Sequence, residues 1–109
     1  MPGVFFKTVF PATILVGAMS AAEAAEVVVD QKDKQFSTSA VTVKVGDTVK
    51  FQNNDSVSHN LFSLSDTKTF DLGTFPNGES REVQFEQPGV VDVECAIHPT
   101  MKLKIAIEE

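Results

Sequence analysis

Short runs of alternating apolar and polar residues are the feature of this chain that most restricts its fold. Over 102–108, Leu103, Ile105 and Ile107 alternate with polar or small residues. Because successive side chains of a β-strand point to opposite faces, this pattern predicts a strand with one buried face. Alternating segments also cover 40–45, 48–52, 81–86 and 90–95. Strands are further predicted for the apolar runs 26–30 and 59–64, for the short segment 68–72 and for a shorter one at Phe36.

Turn residues separate these segments and complete the prediction of the fold class. The combinations Gly46-Asp47, Pro76-Asn77-Gly78 and Pro88-Gly89 are typical of tight turns. About seven or eight regularly spaced strands without a helical pattern predict an all-β domain, a small antiparallel Greek-key β-sandwich. The runs on either side of Gly46-Asp47 further predict a hairpin. Core positions are predicted for the phenylalanines after the first 25 residues: Phe36, Phe51, Phe62, Phe70, Phe75 and Phe85.

The first 24 residues have the composition of a secretory signal peptide. Lys7 is their only positive charge, an apolar stretch covers 9–18, and Ala22-Glu23-Ala24 matches a small-residue cleavage site. The stretch is shorter than the roughly 20 residues of a membrane-spanning helix. We therefore expect export, cleavage near Ala24 or Ala25, and one domain over 25–109; an uncleaved anchor is the alternative.

The net charge of the chain limits its partners. The full chain carries a charge of −6, and removal of 1–24 leaves it unchanged because Lys7 and Glu23 cancel. An acidic domain disfavours nucleic acid, whose protein interfaces are basic, and anionic membrane surfaces. Two interpretations of the charge remain open: steering toward a basic partner protein and simple solubility.

Four potential metal ligands remain after the leader: His59, Cys95, His98 and Met101. On composition alone, a His at +3 and a Met at +6 from a given Cys would occur with a probability of about 0.0005. A single Cys cannot form a disulfide within the chain, and a free thiol is reactive in an oxidising compartment unless something occupies it. The spacing therefore predicts a metal site.

The types of these side chains favour copper. A cysteine, two histidines and a weak axial methionine are the ligand set of type 1 copper sites, which transfer electrons. Structural zinc uses four Cys or His ligands, whereas this chain offers three. Zinc remains the alternative metal.

The predicted strands place the four residues at one end of the sandwich. Alternation puts Cys95 on the inward face at the end of its strand, and His98 and Met101 follow in the loop before the last strand. Pro99 restricts the backbone of that loop. His59 opens a strand directly after a polar loop.

With these residues, the chain resembles the cupredoxins, small copper proteins related to plastocyanin, amicyanin and pseudoazurin, and especially the bacterial periplasmic plastocyanin-like proteins. The spacing Cys95-x-x-His98-x-x-Met101 is similar to the short ligand loop of amicyanin. The pair His59-Asn60 is similar to the first ligand histidine and its following asparagine. The likeness extends over essentially the whole chain after the leader.

The resemblance implies roles for named residues around one type 1 copper ion. The implied ligands are His59, Cys95, His98 and Met101. Electrons would pass through His98, and the docking surface around it would consist of Ile97, Pro99 and Thr100. Asn60 would brace the ligand loop by hydrogen bonding.

Two positions depart from the family pattern. Ala96 follows the cysteine where many members have Thr or Ser, which removes a hydroxyl partner for Asn60. The strand before Cys95 has valines where relatives often have Tyr or Phe. The first departure bears on the reduction potential of the copper, and the second on an electron path through an aromatic side chain.

The expected function is a periplasmic one-electron carrier that cycles between Cu(II) and Cu(I). Its expected partners are redox proteins such as a cytochrome or a copper or quinoprotein enzyme; we expect no stable membrane association and a monomer. The alternative is a periplasmic copper-binding or copper-resistance protein that buffers or delivers copper. An enzyme is not expected, because the sequence shows no oxyanion motif and no further histidines for a substrate-binding metal.

Overall fold

The computed structural model describes residues 23–109. The signal peptide predicted for residues 1–24 lies outside this range except for its last two residues. It therefore stays a prediction, as does the domain boundary at residue 25. In the described part of the chain, no helix is long and apolar enough to cross a membrane.

Nine strands make up the regular structure of the described residues. They are β1 (Glu26–Lys32), β2 (Gln35–Phe36), β3 (Ala40–Lys44), β4 (Thr48–Asn53), β5 (His59–Ser63), β6 (Phe70–Phe75), β7 (Ser80–Gln84), β8 (Gly89–Cys95) and β9 (Lys102–Glu108). Eight of these overlap segments that the sequence predicts as strands, and β2 is the short segment at Phe36.

The strands form two sheets, ordered β2-β1-β4-β7 and β3-β9-β8-β5-β6. The all-β sandwich is thus confirmed, but the sheets are mixed and not purely antiparallel. Strand β1 runs parallel to β4, and β3 runs parallel to β9. Alternation specifies which face of a strand is buried, and it carries no information on the direction of the neighbouring strand. This is why the sequence pattern missed both parallel pairs.

The hairpin predicted at Gly46-Asp47 is wrong. The turn is present, since Asp47 N–H donates to the Lys44 carbonyl at 2.9 Å, but β3 and β4 lie in different sheets. The chain therefore crosses from one layer of the sandwich to the other. Val43 and Val49 are both buried, so each strand satisfies its apolar pattern in a different sheet.

The two apolar faces enclose one hydrophobic core. Its buried members are Val29, Val43, Val49, Phe51, Leu61, Phe75, Val83, Phe85, Val91, Val93, Cys95, Met101, Leu103, Ile105 and Ile107. Phe36 and Phe70 pack against it. The core position predicted for Phe62 is wrong, because this residue lies on the other face of β5, between the buried Leu61 and Ser63.

A two-residue turn between β1 and β2 has unusual backbone geometry. Asp33 and Lys34 have φ angles of 55° and 57°, in the left-handed region. Left-handed φ angles match the right-handed twist of a tight hairpin, but they are sterically unfavourable for a residue with a Cβ. Asp33 is of a type that tolerates this region and Lys34 is not, so the pair lacks the Gly or Asn that most clearly predicts such a turn.

Asp47, just before β4, connects two other segments at this end of the sandwich by hydrogen bonds. Its Oδ1 accepts the Ala25 N–H at 2.8 Å and its Oδ2 accepts the Lys44 N–H at 2.8 Å. These two amides, that of Ala25 most strongly, hold the pKa of Asp47 below its usual value.

We expect Asp47→Asn to lower the thermal stability of the metal-free domain at pH 7, because the amide keeps one acceptor oxygen and its nitrogen cannot accept the second N–H. Since the folded-state pKa is depressed, the stability from this carboxylate is present above the unfolded value of about 3.9 and is lost as pH falls through the folded value. Thermal unfolding from pH 7 to 2.5 measures this. A difference between wild type and variant that stays constant over the whole range would contradict it.

Candidate metal centre

Cys95 ends β8 on the inward face of the sandwich. Val91, Val93 and Cys95 are buried in alternation with more exposed neighbours, and Cys95 is 2% exposed. In the described residues it is a free cysteine. The strand pattern thus directs the thiol into the protein at the point where the chain leaves the sheet.

The loop after Cys95 is tightened by a turn. The Met101 N–H donates to the His98 carbonyl at 3.0 Å, which closes the turn around Pro99 and Thr100. His98 is half-buried, whereas the Met101 side chain is buried within the core. Ile97, beside His98, is 48% exposed.

His59 begins β5, the strand that pairs with β8. The register sets Leu61 opposite Cys95, so the start of β5 lies beside the end of β8. His59 is fully buried. Two residues separated by 36 positions in sequence are thereby brought together.

Three donor atoms converge in this region. His59 Nδ1 lies 3.8 Å from Cys95 Sγ, His98 Nδ1 lies 3.7 Å from Sγ, and the two Nδ1 atoms are 3.2 Å apart. Among residues 23–109, His59, Cys95 and His98 form the one group of three such side chains close enough to share a metal ion.

The spacing of the donors fits a single metal ion. Donors on bonds of about 2.0–2.3 Å, at tetrahedral to trigonal angles, lie about 3.3–3.8 Å apart. The three measured separations match this range to within 0.1 Å. The thiolate and two imidazoles are a set that copper and zinc both accept, and the residues present therefore fit the expected metal.

Asp55 is part of this site and was not singled out from the sequence. Its Oδ2 lies 3.0 Å from Nε2 of His59, the ring nitrogen that faces away from Cys95. The sequence shows only a polar loop at this position; the signal that could have found it is the acidic residue four positions before the histidine. A carboxylate behind a ligand histidine is a common feature of metal sites.

The pKa values of two side chains favour the forms that a metal site requires. The Lys34 amide, followed by the His59 side chain and the Ser56 amide, lowers the pKa of Asp55 to about 2 against the opposing effect of burial. Burial, then the neighbouring His59 and Lys34, lowers the pKa of His98. Asp55 is therefore an anion at neutral pH, and His98 tends to the neutral form that can bind a metal.

Asn60 contacts the site mainly through its backbone. Its N–H donates to Cys95 Sγ at 3.4 Å, and its carbonyl accepts the Ala96 N–H at 2.9 Å. The side-chain nitrogen lies 3.5 Å from Thr74 Oγ1, and the side-chain oxygen has no hydrogen-bond partner among residues 23–109. Backbone groups thus join β5 to the ligand loop without the hydroxyl that Ala96 lacks.

The chain is similar in sequence and in fold to known copper proteins. The model of a family described as copper binding proteins, plastocyanin/azurin family, matches residues 23–108. The chain is 30% identical over 98 residues to amicyanin of Paracoccus denitrificans, covering 82% of this chain and 72% of that protein. It is 29% identical over 103 residues to amicyanin-alpha of Methylorubrum extorquens, covering 89% and 87%. The solved structure of a reduced Cu(I) form of an amicyanin variant at pH 4 has a TM-score of 0.71 at 28% identity, covering 84% of this chain and 88% of that one.

The Cys95→Ser variant tests the site directly. We expect complete loss of the intense thiolate-to-copper band on addition of Cu(II), because a hydroxyl does not replace a thiolate as a ligand. Absorption spectra of wild type and variant at equal copper concentration measure this. Since Cys95 is the only cysteine in the sequence, a band that survives in the variant would contradict the assignment.

Proposed function

The chain belongs to the plastocyanin/azurin family of copper-binding proteins, and on this premise we propose that it carries single electrons between partner proteins of the periplasm. The observation that carries the proposal is the convergence of His59 Nδ1, Cys95 Sγ and His98 Nδ1 in a largely buried site. A buried thiolate with two imidazoles is suited to a metal that changes oxidation state without taking up a substrate.

These three residues and Met101 would hold the copper ion. Copper, when bound, supplies the one-electron couple between Cu(II) and Cu(I). The protein holds the donors in place: Cys95 and His59 lie on paired strands, and the Met101 N–H fixes the turn after His98. Rigid donors suit electron transfer because little rearrangement accompanies the change of charge.

Electron exchange is proposed to take place at His98. His59 is fully buried, whereas His98 is half-buried and is the histidine that reaches the surface. Ile97, Pro99 and Thr100 are exposed around it and offer a small apolar docking face. This face fits a transient redox partner, since weak electron-transfer contacts are small.

The cellular setting is part of the proposal. The sequence of residues 1–24 has the features of a signal peptide, and the domain over 25–109 would act in the periplasm as a monomer. Its partners would be redox proteins such as a cytochrome or a copper or quinoprotein enzyme. The net charge of −6 is compatible with steering toward a basic partner.

The number of possible metal ligands in the chain favours electron transfer over copper buffering and over catalysis. His59, Cys95, His98 and Met101 are the only residues of their types after residue 24, and the proposed site would use all of them. A second, exchangeable copper site or a substrate-binding metal would need further residues of these types. We therefore propose that the protein is not an enzyme.

A copper titration of the metal-free domain, residues 25–109, tests the proposed site. We expect an intense visible colour that saturates at one equivalent of Cu(II), is bleached by ascorbate and returns on reoxidation. The thiolate of Cys95 is the source of the intensity. A pale or weakly bound complex would contradict the electron-carrier proposal, and a preference for zinc would revive the alternative metal.

A competition experiment separates a carrier from a copper buffer. A carrier is expected to retain copper in both oxidation states, because its donors are fixed by the sheet and by the turn after His98. The loaded protein is mixed with Cu(II)-selective and Cu(I)-selective chelators, and the copper left on the protein is measured. Rapid loss of copper in either state would favour buffering or delivery.

A further inference from the structure

A buried carboxylate lies directly behind one of the metal-binding residues. Asp55 is 4% exposed and His59 is fully buried, and their closest atoms, Asp55 Oδ2 and His59 Nε2, are 3.0 Å apart. The copper-binding proposal assigns a task to Nδ1 of His59 and leaves this second ring nitrogen without one.

We propose that Asp55 is a positioning residue of the copper site: its carboxylate fixes the His59 tautomer that directs Nδ1 at the metal, and its negative charge favours Cu(II) over Cu(I). The inference rests on the proposed function, because it names what regulates the affinity and potential of the same site. It adds a fifth residue to the four that the sequence pattern selects.

The tautomer follows from hydrogen-bond chemistry. An ionised carboxylate only accepts hydrogen bonds, so His59 Nε2 must carry the proton that lies between them. A neutral imidazole then has its lone pair on Nδ1, the atom that faces Cys95 Sγ and His98 Nδ1. Asp55 thereby selects the form of His59 that can bind a metal before any metal arrives.

Asp55 is itself held from several directions. Its Oδ2 also accepts the Lys34 N–H at 2.7 Å, and its Oδ1 accepts the Ser56 N–H at 2.8 Å. Its own N–H donates to Asn53 Oδ1 at 2.8 Å, and its carbonyl accepts from Asn77 Nδ2 at 2.8 Å. Two amides thus hold the carboxylate beside His59, and two further contacts hold the backbone of Asp55.

The strained turn between β1 and β2 belongs to the same arrangement. Its left-handed residues, Asp33 and Lys34, aim the Lys34 N–H at Asp55 Oδ2. A conformation that is costly for these residues is retained where it supplies a hydrogen bond to a buried anion. The first hairpin of the domain is thus connected to the ligand His59 through one carboxylate.

The charge of Asp55 acts on the metal through one imidazole ring. A negative charge near the site stabilises the more positive oxidation state to a greater extent, and burial weakens the screening of this effect by water. The substitution Asp55→Asn removes the charge and keeps an acceptor oxygen. It should therefore shift the equilibrium between Cu(II) and Cu(I) toward Cu(I).

The test compares Asp55→Asn with Asp47→Asn as a matched control. Both carboxylates are buried and accept two backbone N–H groups, but Asp47 lies at the opposite end of β4 and contacts no ligand. For copper-loaded Asp55→Asn we expect the preference for Cu(II) over Cu(I) to fall about tenfold, which corresponds to a reduction potential about 59 mV higher. For Asp47→Asn we expect lower stability and an unchanged potential.

A second measurement needs no variant and no copper. In the metal-free wild-type protein, NMR spectra that correlate ring protons with ring nitrogens report which nitrogen of His59 carries the proton. We expect protonated Nε2, and a mixture of tautomers in Asp55→Ala. A proton on Nδ1 in the wild type would overturn the proposal even if no variant folds.

The outcomes separate this inference from the proposed function. An unchanged potential in Asp55→Asn, together with a loss of stability like that of the control, would reduce Asp55 to a loop contact and overturn the proposal. If the wild type gave no intense Cu(II) complex, the proposed function would fail. The His59 tautomer measured without copper would then still decide whether Asp55 positions that ring.

Discussion

The pairing of β5 with β8 is the contact on which the rest of the site depends. It sets the first residue of one strand, His59, beside the last residue of the other, Cys95, although 36 positions separate them in sequence. Backbone hydrogen bonds of Asn60 to the cysteine sulfur and to the next amide continue the pairing into the ligand loop. The loop then needs only one turn to place His98 opposite His59. Most of the geometry of the site is therefore supplied by backbone pairing within the sheet.

The two histidines have different surroundings in the sandwich. His59 is enclosed in the protein and supported by an anion, whereas His98 is half-buried beside exposed apolar residues. The buried side can be fixed by hydrogen bonds that water does not disturb, and the open side gives a partner close access. This difference is consistent with the proposed roles, in which His59 helps to hold the metal and His98 exchanges electrons.

The sequence predicted the parts of this structure that depend on local chemistry. The alternation around Cys95 gives its inward direction, and the spacing to His98 gives the ligand loop, because both follow from backbone geometry over a few residues. The predicted hairpin at Gly46-Asp47 was wrong for a different reason. Two alternating runs joined by a turn have the same sequence pattern whether the two strands pair with each other or lie in different sheets. Asp55 was missed because its importance comes from the distant Lys34 amide and from a ring nitrogen that only the fold brings to it.

The position of β9 has a consequence for how the domain forms. This strand comes last among those described, yet it lies inside its sheet, between β3 and β8. Its parallel partner β3 pairs Ala40 with Lys104, a contact that spans most of the domain. Topologies with such distant pairs fold slowly. Without β9, the strand that carries Cys95 would have one unpaired edge, and its thiol would lie in an incomplete sheet. Protection of the cysteine therefore depends on a pairing between distant parts of the chain.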